Sequence, residues 1–307
     1  MPGGIKKRQI KQTGPGESEM KICRFNDNRI GVVRDDGVHD VTAILDKFEA
    51  VRYPFPLGDQ LIERLDELRP ELESLADGAE PIDVASVDFL SPVANPPKII
   101  GVPANYQAHR DEAKADPDFD AGRKRFAGSI EEQGLFLKAN SALVGPSEGV
   151  AVRFPDLRTD HEAELGVIIG KRGSDIAIEA AFDHVAGYAL AMDMVVRGGQ
   201  DRSMRKSVDS YAVLGPWMIT ADEVPEPENL NFELRVNGEV RQKANTSQMI
   251  MKLAHQISWG SSYYTLLPGD IIMSGTCAGV SKVEDGDVIE FDFEGIGSMT
   301  IAVRAHS

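Results

Sequence analysis

Three acidic side chains, Asp160, Glu162 and Glu164, alternate along the segment TDHEAELGVIIG (159–170) and run straight into an apolar stretch. In an extended chain, residues two apart point the same way. The three carboxylates therefore share one face, and His161, Ala163 and Leu165 take the other. Neighbouring carboxylates on such a face lie roughly 7 Å apart. At an effective dielectric near 20 each pair repels by roughly 2 kcal/mol. Water or a cation must relieve this. For an isolated Glu-x-Glu the plain explanation is a solvated strand face. Here Leu-Gly-Val-Ile-Ile continues the segment as a strand buried on both faces, which puts the acids at the mouth of a buried strand. Carboxylate oxygens without nearby cysteine suit a hard divalent ion, Mg2+ or else Mn2+ or Ca2+. Asp193 is a candidate third ligand. It lies inside the apolar run GYALAMDMVVR (187–197), and lone buried carboxylates are rare unless paired or bound to metal.

The elements that must position these acids are mostly strands. Residues 1–19 are polar and without periodicity, and read as an extension with little fold of its own. KICRF and RIGVVRD are short strands separated by the turn Asn26-Asp27-Asn28. Residues 59–69 place Leu61, Leu65 and Leu68 on one helical face, which Pro70 is expected to interrupt. Asn95-Pro96-Pro97 precedes the buried strand candidate 98–102 and marks a boundary, giving a small N-terminal domain over 20–95 and a main domain over 96–307. In the main domain, Ala177 to Val185 reads as a helix closed by Gly187, and 249–264 as another helix. DIIMSGT, DVIEFDF and SMTIAV are strands behind turns rich in glycine and aspartate. Strands outnumber helices without a steady alternation, so the expected fold class is β-rich α+β.

The composition is that of an ordinary globular protein of 307 residues. A formal net charge of −16 argues against nucleic acid or an anionic membrane as a partner. No apolar run is long enough to span a bilayer, and the first residues lack the apolar middle of a signal peptide. Cys23 and Cys277 are the only cysteines, too few for a disulfide framework or a zinc site, so a cytoplasmic location is expected.

Four segments, in order, resemble the fumarylacetoacetate hydrolase family over most of residues 20–307. They are GVPANYQAHRDE (101–112), DHEAELGVIIG (160–170), GYALAMDMVVR (187–197) with KSVDSYAVLGPW (206–217), and NGEVRQKANTSQMI (237–250) followed by LLPGDIIMSGTCAGV (266–280). The resemblance implies a mixed β-roll with a small N-terminal domain, usually a homodimer. It implies a divalent cation, magnesium or a similar ion, held by Glu162, Glu164 and Asp193. It further implies His109 and Glu112 as the water-activating pair, Lys206 beside the metal, and Thr276 on the substrate carboxylate, with Arg197, Tyr106 and Gln200 as further substrate contacts. Imidazole titrates near neutrality, and a carboxylate three residues on in a helical turn faces it and can orient it. The plain alternative is an incidental pair on a surface helix. Asp209 is a candidate for holding Lys206, and His161 is expected to be packed or exposed and not a ligand.

The activity that follows from the resemblance is catabolic hydrolysis of a carbon–carbon bond in a 2,4-diketo acid of the acylpyruvate type. Water activated by the His–Glu pair attacks, and a metal-stabilised enolate leaves. The substrate is then a small anionic 2-oxo acid. Two other readings stand beside it. One is decarboxylation of 2-oxo acids, or isomerisation of unsaturated 2-oxo diacids, on the same metal site. The other is a non-catalytic dimeric binding protein. The chain departs from the family pattern at Met192, Pro103, Ala139 and Cys277, all near the expected pocket. Residues 113–134 are either a lid that brings His109 and Glu112 into place or a solvated insertion.

Overall fold

The computed structural model describes residues 19–116 and 128–306, so half of the expected lid (117–127) and the first eighteen residues lie outside the described part. The central feature is a twelve-stranded mixed sheet. Its path runs Pro81–Ile82, Gly37–Asp40, Arg29–Arg34, Lys21–Phe25, Ala212–Thr220, Val185–Asp193, Ala163–Ile169, Ile271–Met273, Ile99–Gly101 and Phe136–Lys138. Two short strands branch from it: Phe89–Leu90 pairs with Lys21–Phe25, and Leu143–Val144 with Ala212–Thr220. A second sheet of five strands carries Asn231–Val236, Glu239–Asn245, Val288–Phe293 and Gly297–Ala305, with Val150–Val152 on its edge. Neither path closes on itself, and the described helices are few. This is the β-rich α+β arrangement expected from the strand count.

The centre of the main sheet is buried because its strands are apolar on both faces. Ala163–Ile169 and Val185–Asp193 pair antiparallel over nearly their full length, and nearly every residue in them is buried. Leu165, Val167, Tyr188 and Leu190 join the five-stranded sheet's Phe232, Phe291 and Phe293 in one core. The opposite face, with Ile168, Ala189, Leu214 and Met273, packs on Leu65, Leu68, Leu72 and Ala76 of an N-terminal helix. The strands before residue 95 thus extend the same sheet as the later ones, through the pairing of Lys21–Phe25 with Ala212–Thr220.

Three local expectations need correction. The helix does not stop at Pro70 but runs over Leu65–Gly78 with the proline inside it. Pro70 is near the helix start, so its missing N–H forfeits one bond to the preceding turn, and the stripe Leu65, Leu68, Leu72, Ala76 stays buried across it. The segment expected as a helix to Val185 is a 3-10 helix over Ile178–His184, and Gly187 is a strand residue. A Cβ at Gly187 would stand 2.2 Å from the Ile219 carbonyl oxygen, so the glycine is there for close strand approach and not to cap a helix. The helix expected from residue 249 begins at Leu253, because the Ile250 N–H donates to the Asn105 carbonyl and the Met251 N–H to Asn105 Oδ1.

Leu72 is fully buried between helix and sheet. Leu72→Ala is expected to lower the unfolding free energy by about 2–5 kcal/mol, measured by denaturant titration. Activity per folded molecule should be retained, because Leu72 does not line the acidic pocket. A loss of activity without loss of stability would contradict this placement.

Candidate metal and catalytic site

Strand pairing assembles the acidic cluster. Ala163 lies opposite Met192 in the antiparallel ladder, and one rung on the Asp193 N–H donates to the Glu162 carbonyl at 2.9 Å. Opposite residues in such a ladder share a face, as do residues two apart on one strand. Glu162, Glu164 and Asp193 therefore point the same way. All three are buried, and each offers an oxygen within 4.8 Å of the others. Asp160 does not join them. The strand breaks at His161 and Glu162, and Asp160 is instead held by Arg158 Nε at 2.7 Å and Arg197 Nε at 2.8 Å. Two guanidinium groups thus neutralise the acid that alternation alone would add to the cluster.

Cations surround the cluster. Lys206 Nζ donates to Glu162 Oε2 at 2.5 Å and also to Asp193 Oδ2. Lys138 Nζ donates to Asp193 Oδ1 and to the Tyr211 carbonyl at 2.9 Å. Arg197 Nη2 reaches Glu162 Oε1 at 3.2 Å. Burial disfavours the Glu162 carboxylate, but Lys206 and Arg197 outweigh it and hold its pKa down at about 2. For Glu164, burial and then the repulsion of Asp193 push the pKa well up against the weaker pull of Lys206. The two lysines respond in opposite directions. Burial dominates at Lys138 and lowers its pKa, whereas at Lys206 the combined pull of Asp193, Glu162 and Glu164 overcomes burial and raises it.

This donor set fits a hard divalent ion. It is all carboxylate oxygen and it is buried, and burial first, then the nearby Asp193, disfavour charge on Glu164. Lys206 stands between two of the three acids as a cation would.

Of the catalytic candidates, His109 and Lys206 line the same pocket, and Glu112 stands behind His109 outside the lining. His109 and Glu112 lie on the helix Gln107–Ala115, with His109 Nδ1 3.3 Å from Glu112 Oε2. Glu112 is itself fixed by the Gly279 N–H, which donates to Oε1 at 2.9 Å. Asn105 anchors the start of this region. It is fully buried, donates to the Met251 and Ser274 carbonyls, and accepts from the Met251 N–H. Gly275 comes so close to Asn105 that a Cβ would stand 2.4 Å from the Asn105 Cβ. Its φ of +96° aims the N–H at Glu164 Oε2, at 2.8 Å.

Other expected residues distribute as follows. Thr276 lines the pocket, but its hydroxyl donates to the Ala163 carbonyl at 2.8 Å and accepts from Gln242. A hydroxyl has one proton, so donation to a substrate carboxylate requires release of that bond. Arg197 lines the pocket, while Tyr106 and Gln200 are not in its lining. The Tyr106 ring is buried edge-on against Phe232, 6.3 Å between centroids, so packing claims it. Gln200 contributes its backbone carbonyl to Arg205 Nε at 3.1 Å. Asp209 is exposed and sits 3.5 Å from Arg153, so it does not hold Lys206. His161 is packed, with its ring nitrogens on Gln242 and Ser281 at 3.0 and 2.9 Å, and burial lowers its pKa.

Sequence reasoning missed Lys138, Phe136, Arg202 and Arg205 as site residues. Strand alternation could have found the first two, since Phe136 and Lys138 share the inward face while Leu137 is exposed. Helical spacing could have found the others, because Arg202, Arg205 and Lys206 are three and four residues apart.

The family model described as "Fumarylacetoacetate (FAA) hydrolase C-terminal" matches residues 98–304. A maleylpyruvate hydrolase of Aquipseudomonas alcaligenes is 50% identical over 286 residues, which covers 93% of this chain and 100% of that one. The crystal structure of a maleylpyruvate hydrolase from Sphingobium sp. SYK-6 in complex with manganese(II) ion and pyruvate superposes with a TM-score of 0.79 at 37% identity, covering 94% of this chain and 100% of that chain. A mitochondrial oxaloacetate tautomerase of Xenopus laevis is 33% identical over 229 residues, 70% of this chain and 68% of its own length.

If the cluster binds a hard dication, saturating Mn2+ or Mg2+ stabilises the fold by mass action. The gain is about 2.7 kcal/mol at a hundredfold excess over Kd. The expected observation is a rise in Tm with metal that Glu164→Gln or Asp193→Asn removes. An equal rise in the variants would place the ion elsewhere.

Proposed function

The chain belongs to the fumarylacetoacetate hydrolase family, and from that premise we propose that it is a divalent-metal-dependent hydrolase that splits an acylpyruvate into pyruvate and a carboxylic acid. The observation that carries this reading is a single pocket lined by His109, Glu162, Glu164, Asp193 and Lys206. A proton acceptor and an anion-stabilising centre thus face the same space. That a homologue holds manganese(II) and pyruvate supports it.

The overall reaction adds water across one carbon–carbon bond. An acylpyruvate, R–CO–CH2–CO–COO−, plus water gives R–COO−, pyruvate and a proton. When bound by Glu162, Glu164 and Asp193, a divalent cation supplies Lewis-acid stabilisation for negative charge on the 2-oxo acid fragment. In the tautomer that carries its proton on Nδ1, His109 donates to Glu112, and Nε2 is then the basic nitrogen of the ring. His109 Nε2 takes a proton from water as the oxygen attacks the carbonyl distant from the carboxylate. The Lys206 ammonium meets negative charge developing in the pocket. The bond between the attacked carbon and the CH2 group then breaks, with its electron pair remaining on the CH2 carbon. The proton held by His109 returns to that carbon to complete the pyruvate methyl group.

Residues 20–95 are read as the smaller domain and 96–307 as the catalytic domain, supported by a pocket lined only from Val102 onward. Mg2+ is the proposed ion, with Mn2+ as the close substitute. The protein is proposed to act as a cytoplasmic homodimer. The free, buried thiols of Cys23 and Cys277 agree with a reducing compartment, and no helix among the described residues is long and apolar enough to cross a membrane. Decarboxylation, tautomerisation or isomerisation would use the same carboxylates without attack by water. The oriented His109–Glu112 pair favours hydrolysis over these.

With Mn2+-loaded enzyme and an acylpyruvate, His109→Ala is expected to lower kcat by about 10²–10⁴-fold while the metal-induced rise in Tm stays intact. Product analysis should give pyruvate and the acid in equal amounts. Undiminished hydrolysis in the variant would remove His109 from the mechanism.

A further inference from the structure

The strand Glu239–Asn245 is an edge of the five-stranded sheet, and Gln242 is the one residue in it that is buried. An apolar side chain is the ordinary occupant of such a place. Gln242 instead reaches across to the acidic strand of the main sheet and to Thr276 and Cys277 in the loop after Ile271–Met273, and both ends of its amide are bonded.

The partners fix the direction of each bond. The Ala163 N–H can only donate, so it marks Oε1, at 3.0 Å. The Cys277 carbonyl can only accept, so it marks Nε2, at 3.0 Å. The second Nε2 hydrogen then goes to Thr276 Oγ1, at 2.7 Å. Oε1 also lies 3.0 Å from His161 Nδ1, so that nitrogen carries a proton. The Ser281 hydroxyl, 2.9 Å from Nε2 of the same ring, donates to it when the ring is neutral. Donation thus runs one way, from Ser281 through His161 and Gln242 to Thr276. Of these four, Thr276 alone lines the pocket. Gln242 occupies a lone pair of the Thr276 hydroxyl and turns its proton away, and the Ala163 carbonyl accepts that proton at 2.8 Å.

We propose that Gln242 is a positioning residue that commits the Thr276 hydroxyl to donating, so that a substrate carboxylate entering the pocket takes over the hydrogen bond now given to the Ala163 carbonyl. The proton stays on Thr276 throughout. A bond to a neutral carbonyl is exchanged for a charge-assisted one, which is the stronger of the two. Gln242 lies outside the pocket lining and acts only through Thr276. The inference rests on the acylpyruvate hydrolase reading and adds to it the group that aims one substrate contact.

The test compares the Mn2+-loaded wild type, Gln242→Met, Thr276→Val and the double variant, with acetylpyruvate and maleylpyruvate as substrates. The Mn2+-induced rise in Tm checks that fold and metal cluster are intact. Methionine is about as long as glutamine and has no proton to donate. Each single variant is expected to raise KM by roughly 10–10²-fold, as loss of a hydrogen bond to a charged group implies. Little change in kcat is expected, because the bond is held alike in ground and transition states. The double variant should match Thr276→Val, since the effect of Gln242 passes through Thr276. Multiplied losses in the double variant would overturn the proposal, as would an unchanged KM in Gln242→Met. An unchanged KM in Thr276→Val would remove Thr276 as a substrate contact, and this inference with it, while the hydrolase reading stands. Failure of the wild type to cleave either substrate would overturn that reading too. If Gln242→Met does not fold, a crystal structure of the wild type with Mn2+ and pyruvate decides. Thr276 Oγ1 should then bond the pyruvate carboxylate with Gln242 Nε2 still on it, and a hydroxyl still on Ala163 with the carboxylate held elsewhere would overturn the proposal.

Discussion

Burying three carboxylates within 4.8 Å of one another is the constraint on which the rest of the structure depends. The strand ladder forces it, because the rung that joins Asp193 to Glu162 sets both on the face that Glu164 already occupies. In an apolar interior such a cluster is strongly unfavourable unless cations balance it. Lys138, Lys206 and Arg197 supply that balance in part, while burial and the repulsion of Asp193 still disfavour charge on Glu164. A dication completes it.

The surrounding elements transmit this constraint to the chemistry. Gly275 gives Glu164 a backbone donor, and its close approach to Asn105 links the acidic strand to the segment that leads into the His109 helix. Glu112 then fixes His109 from one side while the Gly279 N–H fixes Glu112 from the other. His109 is therefore oriented through the Gly275–Gly279 loop, which also touches the acidic cluster. On the far side of the pocket the Arg202–Lys206 helix faces the acids with cations.

Much of this was legible in the chain, for identifiable reasons. The period-2 placement of Glu162 and Glu164 before an apolar run, and a lone aspartate inside another, carry the cluster because strands express period-2 directly as faces. Asp160 shares that period but not that fate, since a strand break and two arginines distant in sequence decide its place. Asp209 pairs with Arg153 and Gln200 lies outside the pocket lining for the same kind of reason, as side-chain placement is set by tertiary packing and not by spacing. Lys138 escaped notice because a single lysine in a three-residue strand looks like surface until the neighbouring strands bury it. At Pro70 and Gly187 the usual stop signals were overridden by burial of an apolar stripe and by close strand contact.

The most direct test of the central claim is a crystal structure of the protein grown with Mn2+, read from anomalous scattering. The account requires a single strong peak coordinated by oxygens of Glu162, Glu164 and Asp193, with the Lys206 ammonium beside the ion and no longer bridging two acids. A structure at saturating Mn2+ in which Lys138 and Lys206 alone bind the three carboxylates, with no peak among them, would contradict it.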